Sequence, residues 1–352
     1  MSVIGFDIGT FAAKALLLNI KGKGRSRVVS LGGVGLAQMP FGVMSQWEEQ
    51  PIPARQAMGT AMRSLWKLCK LSAGRFAALS LSGDTMIIKK ITMPVTSQKE
   101  LRSSLAMEAE QYIPYPINEV IIDGHILGTD DRLGQMSVLL VAARKEVVYN
   151  YIQAIALTKQ LKPAVIDVDA LALYNAYDFI HPDSRENVIL MDIGATLVHI
   201  TLLYEGVPHT IKEESIGGQR ITDDLEDAFG ATPDEAEAIK LGATPPPNPT
   251  EAAEVVDRIV SNWLAALERA IEAVKVEIPE YRPTRVYLAG GSALLKGLAE
   301  QVQEHFKTPT ELFNPLSEVK LNPKKFDKAY IDYIGPQMAV SFGLAIRKVE
   351  TL

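Results

Sequence analysis

Two short turns in the sequence carry residue types that can hold a phosphate. Each is an Asp-x-Gly segment that follows an apolar run, at Asp7–Thr10 and at Asp192–Thr196. The glycine lets the backbone turn tightly, so that successive N–H groups can point at an oxyanion, and the threonine adds a hydroxyl. Lys14, seven residues after Asp7, is expected on the next strand, from which its ammonium group can reach the phosphates. The residues predicted to bind phosphate are Asp7, Gly9, Thr10, Lys14, Asp192, Gly194, Ala195 and Thr196.

A phosphate chain clamped between two such turns needs its charge neutralised. Asp7 and Asp192 can hold Mg²⁺ through its waters, because this ion prefers oxygen ligands and loses water reluctantly. A single Asp-x-Gly turn is weak evidence, since both residues are ordinary turn formers, and the second copy supports the prediction. Metal sites built on cysteine or histidine are not expected, because Cys69 is the only cysteine and the five histidines lack ligand spacing.

The two turns belong to an internal repeat. In each copy an apolar strand ends in the Asp-x-Gly turn, and a second strand, a glycine-containing turn and a third strand follow, over residues 3–31 and 188–213. A helical segment comes later in each copy, Ala54–Leu71 in the first and Gln219–Phe229 in the second. Two β-meanders that each begin with an Asp-bearing strand predict two related α/β lobes that face one another.

The segment between the copies has a different pattern. Leu79–Pro94 is strand-like, and Ser97–Glu100 is a capping box that opens a helix with apolar residues at helical spacing. A Pro-Tyr-Pro sequence ends that helix. Two further strand-like runs, Val120–Ile126 and Met136–Ala143, complete the pattern of a small inserted α/β subdomain.

Two Gly-Gly segments are candidates for contact with a nucleoside. Val286–Leu295 has the pattern of a strand, a Gly-Gly turn and a helix start, where small residues let a base or ribose pack against the backbone. Ser292 is expected to cap the following helix. Ile216–Thr222 is a second such turn, and each of the two can equally be a plain strand-to-helix junction. The residues predicted to bind adenosine or ribose are Gly217, Gly218, Gly290, Gly291 and Ser292.

These motifs, in this order, resemble those of the actin-like ATPase superfamily, which includes actin, sugar kinases, heat-shock chaperone ATPases and the bacterial proteins FtsA and MreB. The resemblance covers essentially the whole chain, with connecting motifs matched at Val165–Leu173 and Gly335–Ala345. It implies an α/β fold of two duplicated, ribonuclease H-like lobes with ATP or ADP and Mg²⁺ bound between them. Small residues in the connecting motifs would let two helices cross closely at the hinge: Ala170, Ala172, Ala339 and Gly343.

Within the superfamily, the chain resembles the PilM family of type IV pilus assembly proteins. Glu108–Pro116 followed by Val120 is similar to the inserted subdomain of that family, and FtsA carries an insertion at the same place. The resemblance implies a cytoplasmic ATP-binding scaffold that reaches the inner membrane through protein partners only. In PilM-like proteins the cleft between the subdomain and the first lobe takes the short cytoplasmic tail of PilN, and other motor and platform proteins of the pilus machine are further expected partners. Met86, Ile88 and Leu105 are candidates for lining that cleft, and each can equally be a core residue.

The expected domain boundaries follow from the repeat and the resemblance. They are residues 1–78 for the first lobe, 79–158 for the inserted subdomain, 159–186 for a connecting helix of the first lobe, 187–330 for the second lobe and 331–352 for a C-terminal helix that returns to the first lobe.

ATP hydrolysis is expected to be slow or negligible, so that any ATPase activity is weak. Actin-like ATPases often carry a glutamate in the first connecting motif that positions the attacking water, and the corresponding residue here is Asp169. Aspartate is one methylene shorter, and a misplacement of this size costs about a hundredfold in rate. A shifted backbone would instead make Asp169 a competent base.

Composition excludes some classes of function. A net charge of −6, from 36 basic and 42 acidic residues, argues against a protein that coats nucleic acid or an anionic membrane. No apolar run approaches the roughly 20 residues needed to span a bilayer, and the N-terminus has no secretory signal pattern.

Two alternatives from the same superfamily remain open. A small-molecule kinase would need a second, polar pocket for its acceptor, and the sequence shows no such cluster. A filament-forming ATPase like FtsA or MreB is the other, although FtsA-like proteins carry a C-terminal amphipathic membrane helix and none is expected here after Gly335–Ala345.

Overall fold

The structure of the protein, a computed structural model, describes residues 3–22, 27–40, 42–43, 50–70, 75–83, 86–130 and 132–347. The strands are β1 (Val3–Ile8), β2 (Ala12–Lys21), β3 (Val28–Gln38), β4 (Arg75–Leu81), β5 (Met86–Pro94), β6 (Val120–Asp130), β7 (Gln135–Arg144), β8 (Leu161–Val168), β9 (Val188–Ile193), β10 (Val198–Tyr204), β11 (Val207–Glu214), β12 (Arg285–Ala289) and β13 (Thr310–Leu312). The α-helices are α1 (Pro51–Leu68), α2 (Gln98–Ala109), α3 (Lys145–Ala156), α4 (Asp169–Ile180), α5 (Gln219–Phe229), α6 (Pro233–Lys240), α7 (Pro249–Glu277), α8 (Leu298–Phe306), α9 (Lys328–Ile334) and α10 (Ala339–Ala345). None of these helices combines the length and the apolar character needed to cross a bilayer.

Two five-stranded sheets with the same strand order form the body of the protein. The first has the order β3-β2-β1-β4-β8, and the second has the order β11-β10-β9-β12-β13. In both, the first three strands in the chain form an antiparallel meander, and the two later strands join it in parallel. The repeat seen in the sequence is therefore a true duplication of a lobe, and the predicted two-lobed α/β fold is confirmed.

The two Asp-x-Gly turns contain the same backbone hydrogen bond. The Gly9 N–H donates to the Ala12 carbonyl at 3.2 Å, and the Gly194 N–H donates to the Leu197 carbonyl at 2.9 Å. A side chain on either glycine would come within 3.0 Å of that same carbonyl oxygen. A larger residue at either position would push this carbonyl by a few tenths of an ångström, so the tight turn favours glycine.

Helices α4 and α10 lie between the two sheets and form the hinge. They share one apolar core with residues of both lobes, including Val3 and Leu16 of the first sheet and Val188 and Leu190 of the second. A Cβ on Gly343 in α10 would come 1.7 Å from the Ala172 carbonyl oxygen of α4. The close helix crossing expected from small residues in the connecting motifs is confirmed.

The inserted subdomain is a three-stranded sheet with the order β5-β7-β6. Helix α2 covers one face of it, and its predicted capping box is present. The Glu100 side chain accepts from the Ser97 N–H at 3.0 Å, and the Ser97 hydroxyl accepts from the Glu100 N–H at 3.3 Å. The opposite face of the sheet turns toward the first lobe, because Met86 and Ala143 pack with the first-lobe core.

The structure places the ends of the insertion differently from the sequence-based boundaries. Strand β4 lies inside the first-lobe sheet between β1 and β8, so a boundary at residue 79 falls within a strand. The apolar run that begins at Leu79 is divided by Gly83, whose φ of +71° turns the chain into the subdomain. Helix α3 packs with α1 in the first-lobe core, so the inserted sheet and its helix occupy residues 86–144.

The two connecting regions also contain more than the single helices expected. Residues 159–186 include the edge strand β8 before α4, and residues 331–347 include the end of α9, a short 3-10 helix and α10. The last predicted residues, 348–352, lie outside the described part of the chain.

Candidate functional site

A cavity of about 630 Å³ lies between the two lobes, and both Asp-x-Gly turns line it. The turns meet across the cleft, where the hydroxyl oxygens of Thr10 and Thr196 are 3.2 Å apart. Most of the residues predicted for phosphate, adenosine and catalysis line this one cavity: Asp7, Gly9, Thr10, Lys14, Asp169, Asp192, Gly194, Ala195, Thr196, Gly290, Gly291 and Ser292. The duplicated fold therefore brings together segments that are far apart in the sequence.

In the first lobe, Asp7 and Lys14 face each other on neighbouring strands. They are register partners on β1 and β2, and the Lys14 ammonium donates to the Asp7 carboxylate at 2.9 Å. Burial alone would lower the pKa of Lys14, but the adjacent Asp7 carboxylate raises it above its ordinary value. Lys14 is therefore held as a cation at the floor of the cleft.

In the second lobe, His199 occupies the place that Lys14 has in the first. It is the register partner of Asp192 on β9 and β10, and it also follows its aspartate by seven residues. Sequence reasoning missed His199, although the repeated spacing of seven was the signal that could have found it. The ring Nε2 lies 2.8 Å from the Glu213 carboxylate, and Nδ1 lies 3.8 Å from the Asp192 carboxylate. Burial alone would lower the pKa of His199, but these two carboxylates raise it to about 10, so the ring carries a positive charge.

The cleft holds more negative than positive side chains. In the part of the chain that the structure describes, the acidic side chains that line it are Asp7, Asp169, Asp192, Glu213 and Glu237, and the basic ones are Lys14, His199 and Lys240. Among the described residues, no group of three or more acidic, histidine or cysteine side chains is arranged to hold a metal ion directly. The excess of carboxylates from both lobes fits a hydrated divalent cation, held by Asp7 and Asp192 through water and balanced by phosphate.

Asp169 begins helix α4 and points into the same cavity. The Ser80 hydroxyl at the end of β4 donates to Asp169 Oδ1. Burial raises the pKa of the Asp169 carboxyl to about 7, with a further contribution from the nearby Asp7, while His199 and Ser80 act in the opposite direction. A carboxyl that titrates near neutral pH is suited to general-base chemistry, but one of its oxygens is already occupied by Ser80.

The glycines predicted for adenosine have two different environments. Gly290 and Gly291 line the cavity, whereas Gly217 and Gly218 pack behind the second Asp-x-Gly turn. A Cβ on Gly217 would come 2.3 Å from the Ala195 carbonyl oxygen. These two glycines therefore support the second Asp-x-Gly turn with their backbone and do not line the cleft.

Ser292 has a different role from the cap expected for it. Its hydroxyl donates to the Gly194 carbonyl at 3.2 Å, and it makes no capping hydrogen bond to the short helix that follows. The reason is proximity, because the second Asp-x-Gly turn lies directly against the start of this helix. The serine thus ties the Gly-Gly segment to that turn.

Four further residues of the cavity were not found from the sequence. Glu237 and Lys240 lie one turn apart on α6, and the Lys240 ammonium donates to the Thr222 hydroxyl at 2.9 Å and to the Gly218 carbonyl at 3.3 Å. Tyr333, 54% exposed, and Gln337 line the same cavity from the C-terminal region. The Glu-x-x-Lys spacing was the available signal for the first pair, while nothing local marked the second.

The three candidates for the partner cleft separate onto the two faces of the inserted sheet. Met86 and Ile88 are half-buried neighbours on the face that turns toward the first lobe, since side chains two apart on a strand share a face. Leu105 is 3% exposed in the core between α2 and the other face. Leu105 is therefore a core residue, because α2 buries its apolar side against the sheet.

We predict that Asp169→Asn makes the free protein more stable at pH 8, by about 1–2 kcal/mol. In the folded protein this carboxyl keeps its proton up to about pH 7, whereas in the unfolded chain it has the ordinary aspartate pKa of 3.8. The native protein therefore loses stability as the pH rises between these values, and the asparagine variant does not.

Thermal unfolding at two pH values measures this effect. The gain in melting temperature for Asp169→Asn should be several degrees at pH 8 and roughly half as large at pH 5.5. Asp257→Asn, which changes an exposed carboxylate on α7, is the matched control and should show no pH-dependent gain. An equal difference at both pH values would contradict the buried-carboxyl explanation.

Comparison with known proteins gives the family. The chain matches the model of the family described as Type IV pilus assembly protein PilM over residues 5–349. Cell division protein FtsA of Escherichia coli (strain K12) is 22% identical over 377 residues, which cover 95% of this chain and 89% of FtsA. FtsA of Streptococcus pneumoniae serotype 2 (strain D39) is 25% identical over 361 residues, which cover 88% of this chain and 75% of that protein.

Solved structures give the same result. A chain of the PilM-PilN type IV pilus biogenesis complex is 26% identical, with a TM-score of 0.84 and coverage of 100% of this chain and 99% of that one. MreB 5 of Spiroplasma citri bound to AMPPNP, 11% identical, shares the fold with a TM-score of 0.50 and coverage of 97% and 94%. The protein has the actin-like ATPase fold with a small inserted α/β subdomain, and it belongs to the PilM family of type IV pilus assembly proteins.

Proposed function

We propose that this protein is a nucleotide-binding scaffold of the inner-membrane part of the type IV pilus machine. It binds ATP or ADP with Mg²⁺ between its lobes and hydrolyses ATP slowly or not at all. It takes the short cytoplasmic tail of a PilN protein between the first lobe and the inserted subdomain. It is cytoplasmic and is held at the membrane through such partners.

The observation that carries the nucleotide proposal is the meeting of the two Asp-x-Gly turns across one cleft. Thr10 and Thr196 are 3.2 Å apart, and each turn is backed by a carboxylate and a cation on neighbouring strands. Backbone N–H groups, hydroxyls and the Lys14 ammonium can bind phosphate oxygens from both sides. When Mg²⁺ is bound with the phosphates, it supplies the positive charge that the carboxylates of the cleft require.

We predict that Mg-ATP raises the melting temperature of the native protein by several degrees and that Asp192→Ala abolishes this gain. A ligand at one hundred times its Kd stabilises the folded state by about 2.7 kcal/mol, and the variant loses one of the two carboxylates that hold the hydrated metal. Asp227→Ala, an exposed carboxylate on α5, is the control and should keep the full gain. No gain in the native protein would reject nucleotide binding.

Slow hydrolysis is supported by the position of Asp169. Its carboxylate is one methylene shorter than glutamate, and the Ser80 hydroxyl already binds one of its oxygens. The nucleotide would then serve mainly to hold the lobes together, since chemistry is not required for a ligand to shift a conformational equilibrium.

We expect Asp169→Glu to raise the single-turnover rate of ATP hydrolysis by about 10–100-fold over the native protein. The extra methylene carries the carboxylate past Ser80 toward the position of an attacking water. Asp169→Asn, which cannot accept a proton, should be no faster than the native protein. Native turnover of several per second, or equal rates for the Glu and Asn variants, would show that Asp169 does not limit hydrolysis.

The proposed partner groove lies along the face of the inserted sheet that α2 leaves uncovered. Ile88 and Val141 are register partners on this face, and Ile121 on β6 extends the apolar strip to the outer edge with 41% of its surface exposed. Met86 lies at the end of the strip, where it packs against the first-lobe core. An extended peptide with alternating apolar side chains would fit between this strip and the first lobe.

We predict that Ile88→Asp weakens binding of a PilN tail peptide at least tenfold, because a carboxylate would be buried against apolar side chains. The probe is a synthetic peptide with the cytoplasmic tail of PilN from the same organism, titrated by calorimetry. Val276→Asp changes an 84% exposed apolar residue on α7 of the second lobe and should leave the affinity unchanged. Absence of saturable binding to the native protein, or an equal loss in both variants, would reject this groove.

A further inference from the structure

Strand β11, at the edge of the second lobe, touches both the nucleotide cleft and the inserted subdomain. Its Glu213 lines the cleft beside His199, and its His209 lies on the side of the subdomain. The neighbouring strand β5 begins the insertion and carries one wall of the proposed partner groove. β11 is therefore placed to connect the two sites.

The first connection runs through a single oxygen atom. Glu213 Oε2 is 2.8 Å from His199 Nε2 and accepts a hydrogen bond from the Gly83 N–H at 3.0 Å. His199 belongs to the second lobe, whereas Gly83 follows β4 of the first lobe and comes just before β5. Gly83 has a φ of +71°, so its left-handed backbone sets the direction in which the chain enters the subdomain.

The second connection lies further along the same two strands. The Lys90 ammonium of β5 is 2.7 Å from His209 Nε2 and 3.5 Å from the Glu277 carboxylate at the end of α7. These contacts are exposed, so each adds little energy. Their role is to hold β5 alongside β11. A movement of Glu213 on β11 can therefore be passed to the inserted sheet.

His199, which lies between Glu213 and Asp192, has an incomplete set of hydrogen bonds. The ring is 3% exposed, and its Nδ1 has no hydrogen-bond partner in the described part of the chain. That nitrogen lies 3.8 Å from Asp192, one of the two proposed holders of the hydrated metal. A buried imidazolium shared by two carboxylates responds to any change in the charge of either one.

We infer that Glu213 is a positioning residue that couples the occupancy of the nucleotide cleft to the position of the inserted subdomain. This inference rests on the proposed nucleotide binding. When Asp192 shares its charge with a hydrated Mg²⁺ and phosphate, its attraction for His199 falls. The imidazolium then binds Glu213 more strongly. Because Glu213 also accepts the hydrogen bond from the Gly83 N–H, its movement pulls the backbone just before β5. Nucleotide thereby favours one placement of the groove wall over another, which is the differential contact that a population shift requires.

A distance measurement between the two moving parts tests this coupling. Nitroxide labels are placed on Met107→Cys of α2, where the native side chain is 74% exposed, and on Glu304→Cys of α8, an exposed residue of the second lobe, in a Cys69→Ser background. Pulsed electron resonance then gives the distribution of label distances with and without Mg²⁺ and a non-hydrolysable ATP analogue. Fluorescence anisotropy with a labelled ATP measures nucleotide affinity on the same variants.

The native protein should shift its distance distribution on adding nucleotide, and Glu213→Ala should lose the shift even at a nucleotide concentration that the anisotropy titration shows to saturate the variant. Glu213→Gln keeps an oxygen for Gly83 but has no charge for His199, so it should show the native distance without nucleotide and less than half of the native shift with it. Glu214→Ala is the matched control, because Glu214 pairs with the exposed Arg269 of its own lobe, at 3.0 Å. The Glu214→Ala variant should show the full native shift in label distance when nucleotide is added.

Four results would overturn the inference. A full shift in Glu213→Ala would show that another path carries the coupling, and a full shift in Glu213→Gln would reduce Glu213 to a structural acceptor for Gly83. Nucleotide binding to the native protein without any shift would remove the coupling and leave the proposed nucleotide site intact. Failure of the native protein to bind nucleotide would instead reject the site and the coupling together.

Discussion

The placement of two carboxylates, the buried Asp7 and the half-buried Asp192, at the floor of one cleft is the constraint on which the rest of this structure depends. Asp7 and Asp192 end the first strand of each lobe, and a buried carboxylate is costly unless a cation stands beside it. Each lobe meets this requirement in the same way, with a cation on the neighbouring strand in direct register, Lys14 in one and His199 in the other. The two lobes thus bring equivalent, separately balanced halves to a shared site. What remains is an excess of negative charge between them that a magnesium nucleotide can satisfy.

The duplicated lobes could be predicted from the sequence because two local patterns, the apolar strand and the glycine turn after it, occur together in both copies. The strands that carry the two aspartates are buried on both faces, and each is followed by a glycine, Gly9 or Gly194, at a tight turn that favours this residue. Helix ends with their own local chemistry, such as the Ser97 capping box, were equally predictable. Burial, turn and cap are properties of short segments, so they can be seen before the fold is known.

The parts of the site that escaped prediction are those made by contacts between distant segments. His199 lies in a mostly apolar strand and Glu213 lies among other polar residues of β11, and their role becomes visible only when the two strands are placed beside the cleft. Gly217 had the composition of a ligand-binding turn, yet its backbone serves the neighbouring phosphate turn. Leu105 could have faced a partner or the core, and only the position of α2 decides between them. The residue types therefore indicated the chemistry of the site, but they did not indicate which way each residue faces in the fold.

Helix α10 fills the space between the two sheets, and this has a consequence for how the protein is made. Phe342 and Leu344 pack in the same core as Val3 and Leu16, which come from the opposite end of the sequence. Helix α4 covers part of the inner face of the N-terminal sheet, and the part that α10 covers stays open on the ribosome until α10 has been synthesised. The first lobe therefore completes its core only after the second lobe has been synthesised, and chaperones can bind the open apolar surface in that interval.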